Sequence, residues 1–211
     1  MGLLAVFDFD GTLIKVDSMV LFFQRYYKYS WKNTGTLIML AWETIKFFMK
    51  INTQKQFKEK FLNIVIKSLK NTGLEEITPD FSKFLLKKIS KDALREISSL
   101  KEKGYETILL SASCDFYLKE IKDALGFSKL ICTETCLKDD RIIINGENCY
   151  GGNKILRLLE QYPKDRIDWQ NSYCFTDNLS DWRLLSLFGH PFAVNNKLTA
   201  KNPGFKHLVW K

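Results

Sequence analysis

Hydrophobic and polar positions fall into three regimes along the chain. Leu3 to Phe7 is an unbroken apolar run that leads into Asp8, Phe9, Asp10, Gly11, Thr12 and Leu13. Such a run, closed by acids and a glycine, predicts a strand buried on both faces of a parallel sheet. From Asp17 to about Leu100 glycine and proline are scarce. Apolar residues there recur at helical spacing, as in Phe57, Phe61, Ile64 and Leu69, with Gly73 and Pro79 read as breaks between helices. From Gly104 onward strand and helix patterns alternate. Tyr105 to Leu110 reads as a strand running into Ser111. Lys129 to Cys136 and Arg141 to Ile144 read as a hairpin turning at Asp139 and Asp140. Ile155 to Leu159 reads as a helix, and Ser172 to Phe175 and Phe192 to Val194 as further strands. Strands alternating with helices predict an α/β fold: a Rossmann-like parallel sheet core with an inserted all-helical cap. Residues 1–16 and 101–211 form the expected core, and 17–100 the helical cap.

A chain of 211 residues, 45% hydrophobic and 27% charged, is large enough for a well-buried core. The opening apolar run is short and leads straight into acids, unlike a secretory leader, so the expected localisation is cytoplasmic. Five cysteines (114, 132, 136, 149 and 174) show no CxxC spacing and read as buried thiols. Cys132 and Cys136 would share a face if one strand held both. Two histidines, His190 and His207, exclude a multi-histidine metal centre and argue against a Ser-His-Asp site. The net charge is +8. Residues 16–70 hold ten Lys or Arg against three acids, a balance of +7. Solvated helix faces account for such charge, as would an anionic substrate or an anionic membrane surface. No nucleic-acid-binding motif accompanies it, so no nucleic-acid partner is expected. Gly35 to Ile51 is apolar apart from Glu43, Lys46 and Lys50. It is too short and interrupted for a membrane span and reads as a buried cap helix.

Chemistry gathers at the ends of the expected strands. A strand that delivers Asp8 and Asp10 to its carboxyl end places them where open α/β sheets bind ligands, and Gly11 allows the chain to turn there. Two neighbouring carboxylates need a compensating cation, and their oxygens suit Mg²⁺. Ser111 ends the strand ILLSAS and offers a hydroxyl to a phosphate oxygen. Lys154 follows Gly151 and Gly152 at a helix start, where it can neutralise an anion. Asp177 ends a strand in TDNLSD, and Asp181 follows at a helix start. Acids for a metal, a hydroxyl donor and a cation at the ends of one sheet are what phosphoryl transfer requires.

These four segments, in this order, resemble the four motifs of the haloacid dehalogenase superfamily of hydrolases. DFDGTL is similar to the first motif, Ser111 to the second, Lys154 to the third and TDNLSD to the fourth. The helical insertion, the hairpin before Lys154 and the stretch Asn148-Cys149-Tyr150-Gly151 resemble the phosphoserine phosphatase-like subfamily. The chain departs from that pattern in three places. It has Ser-Ala-Ser for the usual Ser-Gly-Gly, Asp17 but no early glutamate, and Thr176 before Asp177 where glycine is usual.

The resemblance implies a Mg²⁺-dependent phosphomonoester hydrolase acting on a small phosphorylated metabolite through an aspartyl-phosphate. Asp8 would be the nucleophile and Asp10 the general acid and base, with Lys154 neutralising charge. Asp8, Asp177 and the Asp10 carbonyl would hold the metal. Thr12, Ser111 and Lys154 would bind phosphate, and Asp181 would orient Lys154 or a metal-bound water. Asp10 separates this chemistry from dehalogenation, because a halide leaves unprotonated and an alkoxide does not. The alternatives are a lipid-phosphate phosphatase at the membrane surface, with a phosphatidylglycerophosphate-like substrate and a peripheral location, and a phosphomutase or phosphonate hydrolase on the same scaffold.

Overall fold

Residues Leu4–Phe7 form β1, buried at every position. The other strands of its sheet are β2 (Glu106–Cys114), β3 (Lys129–Thr133), β6 (Tyr173–Thr176), β7 (His190–Val194) and β8 (Lys206–Leu208). The order is β3-β2-β1-β6-β7-β8, and every pairing is parallel. The chain builds outward from β1 in one direction to β3, then returns beside β1 and builds outward to β8. The carboxyl ends of β1 and β6 therefore flank the crevice where the strand order reverses. The computed structural model describes residues 1–27, 34–69, 73–139, 141–195 and 204–211. Lys28, Trp31, Lys32 and Lys70 of the basic stretch, and Asp140 of the expected turn, lie outside the described residues.

Among the described residues five α-helices separate β1 from β2: α1 (Ser18–Tyr26), α2 (Thr34–Phe48), α3 (Gln54–Ser68), α4 (Leu74–Leu86) and α5 (Lys91–Glu102). Three more follow, α6 (Asp115–Leu125), α7 (Gly152–Gln161) and α8 (Trp182–Leu185), with a hairpin of β4 (Thr135–Lys138) and β5 (Arg141–Ile144). Several starts have a local cause. Asp17 caps α1 by accepting from Met19 N and Val20 N. Thr53 and Gln56 form a capping box on α3. Ser90 caps α5, and its own N–H donates to the Leu13 carbonyl at 2.9 Å. The α5 helix lies against β2 and buries Ala93, Ile97 and Leu100. The division expected between residues 100 and 101 thus falls inside α5.

Alternation along β1 separates two apolar clusters. Leu4 and Val6 face Ile108, Leu110, Cys149 and Leu158. Ala5 and Phe7 belong to a cluster that continues through Phe22, Phe61 and Phe81 of the inserted helices. Helical block and sheet therefore share one core. Phe22 lies at its seam, with its ring 5.1 Å from Phe81 and 5.8 Å from Phe116. The hairpin is tied to α3 by side chains. Asn63 exchanges hydrogen bonds with Ile142, and Glu59 accepts from Ile144 N, all at 2.8 Å. These bonds satisfy backbone groups at the exposed edge of β5.

The structure corrects several expectations from the sequence. Pro79 lies inside α4; the packing of Ile77, Phe81 and Leu85 on the core outweighs one missing backbone bond. The strand expected over 129–136 is two strands, because β3 joins the parallel sheet while β4 turns away into the hairpin. Cys132 is consequently buried in β3 and Cys136 exposed in β4, so they do not share a face. β8 was not anticipated. The 35–51 segment is not a buried helix. Ile38, Trp42 and Phe48 are 67%, 57% and 77% exposed, and Met39, Ile45, Met49 and Ile51 are exposed with them. The buried member is Glu43, which accepts from Lys46 at 2.5 Å, Asn52 at 2.6 Å and Lys60 at 2.8 Å. No helix among the described residues is long and apolar enough to cross a membrane.

Hydrogen bonds from Lys46 and then Lys60 push the Glu43 carboxyl down to about 2, against the effect of burial. A depressed carboxyl contributes stability that is complete above its unfolded value of 4.5 and is lost as pH falls toward 2. Glu43→Gln is expected to lower the urea midpoint at pH 7, with the gap to the parent closing between pH 4.5 and 2. A gap that stays constant over that window would show that the ion pairs contribute nothing.

Candidate active site

Asp8 follows β1 directly and is held on three sides. Its N–H donates to the Phe175 carbonyl at 2.9 Å, fixing it against β6. Oδ1 accepts from Phe9 N at 2.7 Å, and Oδ2 accepts from Lys154 Nζ at 2.8 Å. Lys154 lies in the first turn of α7, which the chain enters through Gly151 at φ 54°. Its ammonium also donates to Asp181 Oδ2 at 2.6 Å. All three side chains are at least nine-tenths buried. Burial alone would lower the Lys154 pKa, but the charges of Asp8 and Asp181 outweigh it and hold the group above the ordinary lysine range. Burial raises the Asp181 carboxyl, and Lys154 opposes that rise. Thr176 stands between the two acids, with its hydroxyl 3.0 Å from Asp181 Oδ2 and 3.2 Å from Asp8 Oδ2. A glycine could make neither contact, so this departure from the usual pattern has a structural role.

Asp10 is bound by a different set of groups. Ser18 N donates to Oδ1 at 2.8 Å, and the hydroxyls of Ser18 and Ser113 both reach Oδ2. Tyr117 Oη extends the chain, 2.7 Å from Ser18 Oγ. Burial, and then the charge of Asp17, push the Asp10 carboxyl up to about 7, although the Ser113 and Ser18 bonds favour ionisation. Such a group exchanges a proton readily near neutral pH. Ser18, Ser113 and Tyr117 were missed in the sequence. The signal for Ser113 was present, because strand period two puts it on the same face as Ser111.

Asp177 leaves the end of β6 and lies against Gly11. A Cβ on Gly11 would stand 2.0 Å from Asp177 Oδ2, and Gly11 has φ +71°. Only glycine permits both the turn and the approach. Thr12 donates its hydroxyl to Asp177 Oδ1 at 3.3 Å and accepts from Asp177 N at 2.9 Å. Burial, and then the Asp8 charge, push the Asp177 carboxyl up to about 7. A divalent cation fits this cradle. The donors are all oxygens, and two carboxylates held this close disfavour joint ionisation until a cation joins them. Asp8 and Asp177 offer carboxylates and Asp10 its main-chain carbonyl. Among the described residues no three His, Cys, Asp or Glu side chains form a metal-holding group by themselves.

Asp8, Asp10, Ser111, Lys154 and Asp177 line one cavity of about 480 Å³ beneath α1, α2 and α3. Thr12 and Asp181 are not in its wall: Thr12 holds Asp177, and Asp181 holds Lys154. Ser111 accepts from Ser113 N at 3.1 Å. Lys58 of α3 ties the helical side to the catalytic side, donating to the Ala112 carbonyl at 2.5 Å and to Asn148 Oδ1 at 2.9 Å.

A family model described as haloacid dehalogenase-like hydrolase matches residues 5–186. The chain is 21% identical over 204 residues to the Mycobacterium tuberculosis protein named "Probable phosphatase Rv3661", covering 90% of this chain and 68% of that protein. Among solved structures, it resembles a Bordetella pertussis protein of unknown function at a TM-score of 0.75. That pair is 19% identical, with 99% of this chain and 98% of the other covered. It also resembles a phosphoserine phosphatase captured as a phospho-aspartyl intermediate analogue. There the TM-score is 0.66 and the identity 19%, with 100% and 94% of the two chains covered.

Lys154→Met is expected to cost about 3–5 kcal/mol of stability, because it strands two buried carboxylates. Urea unfolding at pH 7 measures this. A variant as stable as the parent would show that Asp8 and Asp181 do not depend on this ammonium.

Proposed function

The chain belongs to the haloacid dehalogenase-like hydrolase family, and from that premise we propose that it is a phosphatase, hydrolysing a small phosphorylated metabolite with Mg²⁺ through an aspartyl-phosphate on Asp8. The observation that carries this reading is the buried Lys154 ammonium bridging Asp8 and Asp181, with the Asp10 carboxyl in the same cavity. Asp8, Asp177 and the Asp10 carbonyl would hold the metal, whose charge, when bound, offsets the repulsion between the Asp8 carboxylate and an anionic phosphate.

The remaining steps use this chain's own groups. Lys154 and the Phe9 N–H keep Asp8 in one orientation for in-line attack on phosphorus. As the bond from phosphorus to the ester oxygen breaks, Asp10 gives its proton to the departing alkoxide. Asp10 then takes a proton from water, which attacks the acyl-phosphate and frees inorganic phosphate and Asp8. The Ser18 and Ser113 contacts hold Asp10 in position for both transfers. Ser111, in the cavity wall, would bind a phosphate oxygen. Thr12 acts through Asp177, and Asp181 through Lys154.

One observation favours a second reading, action at an anionic membrane surface. The outer face of α2 and the turn after it exposes Ile38, Trp42, Ile45, Phe48 and Met49 beside Lys50. Apolar side chains next to lysines suit a lipid interface. Sedimentation with vesicles tests it: binding to anionic and not to neutral vesicles, reduced by salt and by Trp42→Glu, supports this reading. No binding at low salt by folded, active protein rejects it.

For the reaction itself, Asp8→Asn is expected to abolish turnover of an alkyl phosphate, because an amide cannot form the acyl-phosphate. Asp10→Asn is expected to lower it by about 10²-fold or more. Chelation should stop turnover and Mg²⁺ restore it, with Asp177→Ala raising the Mg²⁺ concentration required. Turnover by Asp8→Asn at the parent rate would remove the nucleophile assignment, and turnover in excess chelator would remove the metal.

A further inference from the structure

The cavity has two chemically distinct ends. Asp8, Asp10, Asp177 and Lys154 form the polar end. The opposite wall, from α1, α2 and α3, carries Met19, Phe22, Phe47, Phe57 and Leu62, together with Gln54 and Lys58. Phe47 and Phe57 are stacked, with centroids 4.9 Å apart and planes 22° from parallel. Both are only half-buried within the fold, so their remaining surface is available to a bound molecule.

Two of the charged groups on this side hydrogen bond within the fold. Lys58 uses its ammonium on the Ala112 carbonyl and Asn148. Asp17 accepts from Met19 N and Val20 N through Oδ1. No arginine lines the cavity among the described residues, and Lys15 is the one further cation in its wall. A leaving group carrying both an ammonium and a carboxylate would have to bring two charges out of water against this aromatic and aliphatic surface. An apolar leaving group would find matched surface.

We propose that the cavity selects phosphomonoesters of apolar alcohols, aromatic or aliphatic, over phosphoesters of amino acids, with the Phe47–Phe57 stack as the specificity-determining surface. This rests on the phosphatase reading above. Water hydrolyses such an ester to the free alcohol and inorganic phosphate. The alcohol oxygen takes the Asp10 proton, and its apolar remainder lies along the helical wall throughout.

The test compares kcat/KM of the Mg²⁺-supplied protein on methyl, butyl, hexyl and octyl phosphate, below their micellar concentrations, and on O-phosphoserine. Each buried methylene adds about 0.8 kcal/mol, so kcat/KM is expected to rise by up to about fourfold per methylene until the wall is covered. Phosphoserine is expected to fall at least tenfold below butyl phosphate. Phe57→Ala should reduce the octyl-to-methyl ratio at least tenfold, and Phe57→Leu, which keeps apolar bulk, should retain most of it. Calorimetry with methylphosphonate and octylphosphonate, which have no cleavable ester, gives the same ranking without turnover.

A flat series, equal binding of the two phosphonates, or a preference for phosphoserine that Lys15→Met abolishes would overturn the proposal. Absence of turnover on every ester would overturn the phosphatase reading instead, and the phosphonate ranking would then decide this proposal alone. Turnover of phosphatidate in vesicles alongside octyl phosphate would support a lipid source for the apolar group. Turnover of octyl phosphate alone would support a soluble one.

Discussion

Four carboxylates, Asp8, Asp10, Asp177 and Asp181, gather at the carboxyl ends of β1 and β6, and among the described residues a single ammonium, that of Lys154, is buried with them. Their mutual repulsion is the constraint to which the surrounding structure answers. Lys154 settles the Asp8–Asp181 pair. Asp10 and Asp177 are left with carboxyls pushed up to about 7. The groups around them follow from this. Thr176 hydrogen bonds soften the contact between Asp8 and Asp181, serines support Asp10, and Gly11 gives way to Asp177. A site with this surplus of negative charge is open to a cation, which would also offset the repulsion that an anionic phosphate would otherwise meet there.

Much of this arrangement was legible in the sequence, because it sits at strand ends. The unbroken apolar run before Asp8 and the apolar-to-polar transitions at Ser111 and Asp177 mark where side chains leave the sheet. The inserted helices were legible from periodicity. Contacts made by residues distant in sequence were not. Ser18 reaches Asp10 only because Asp17 caps a helix that points its first residue back at the strand end. Tyr117 joins them from a separate helix. The split of 129–136 into two strands follows from the hairpin leaving the sheet, and nothing in the local pattern at Glu134 announces that.

The 35–51 segment shows the opposite failure. Its apolar residues suggested burial, and Glu43 looked like an interruption. In the fold Glu43 is the buried member, because Lys46, Asn52 and Lys60 converge on it, and several of the apolar residues face outward. Hydrophobicity alone could not settle which face of this helix turns inward. The ion-pair partners did, and Lys60 comes from the next helix.

The seam between the helical block and the sheet separates two kinds of cavity residue. Phe22 faces the cavity and also packs on Phe81 and Phe116, so its ring belongs to the shared core of both parts. Phe47 and Phe57 stack on each other and are half-buried. In evolutionary terms the fold has one locked position and one permissive pair. Substitutions at Phe22 would be removed by selection on folding before any new substrate was met. Substitutions at Phe47 and Phe57 carry less folding penalty, and lineages descended from this scaffold can drift in what they accept there while Asp8, Asp10 and Lys154 stay unchanged.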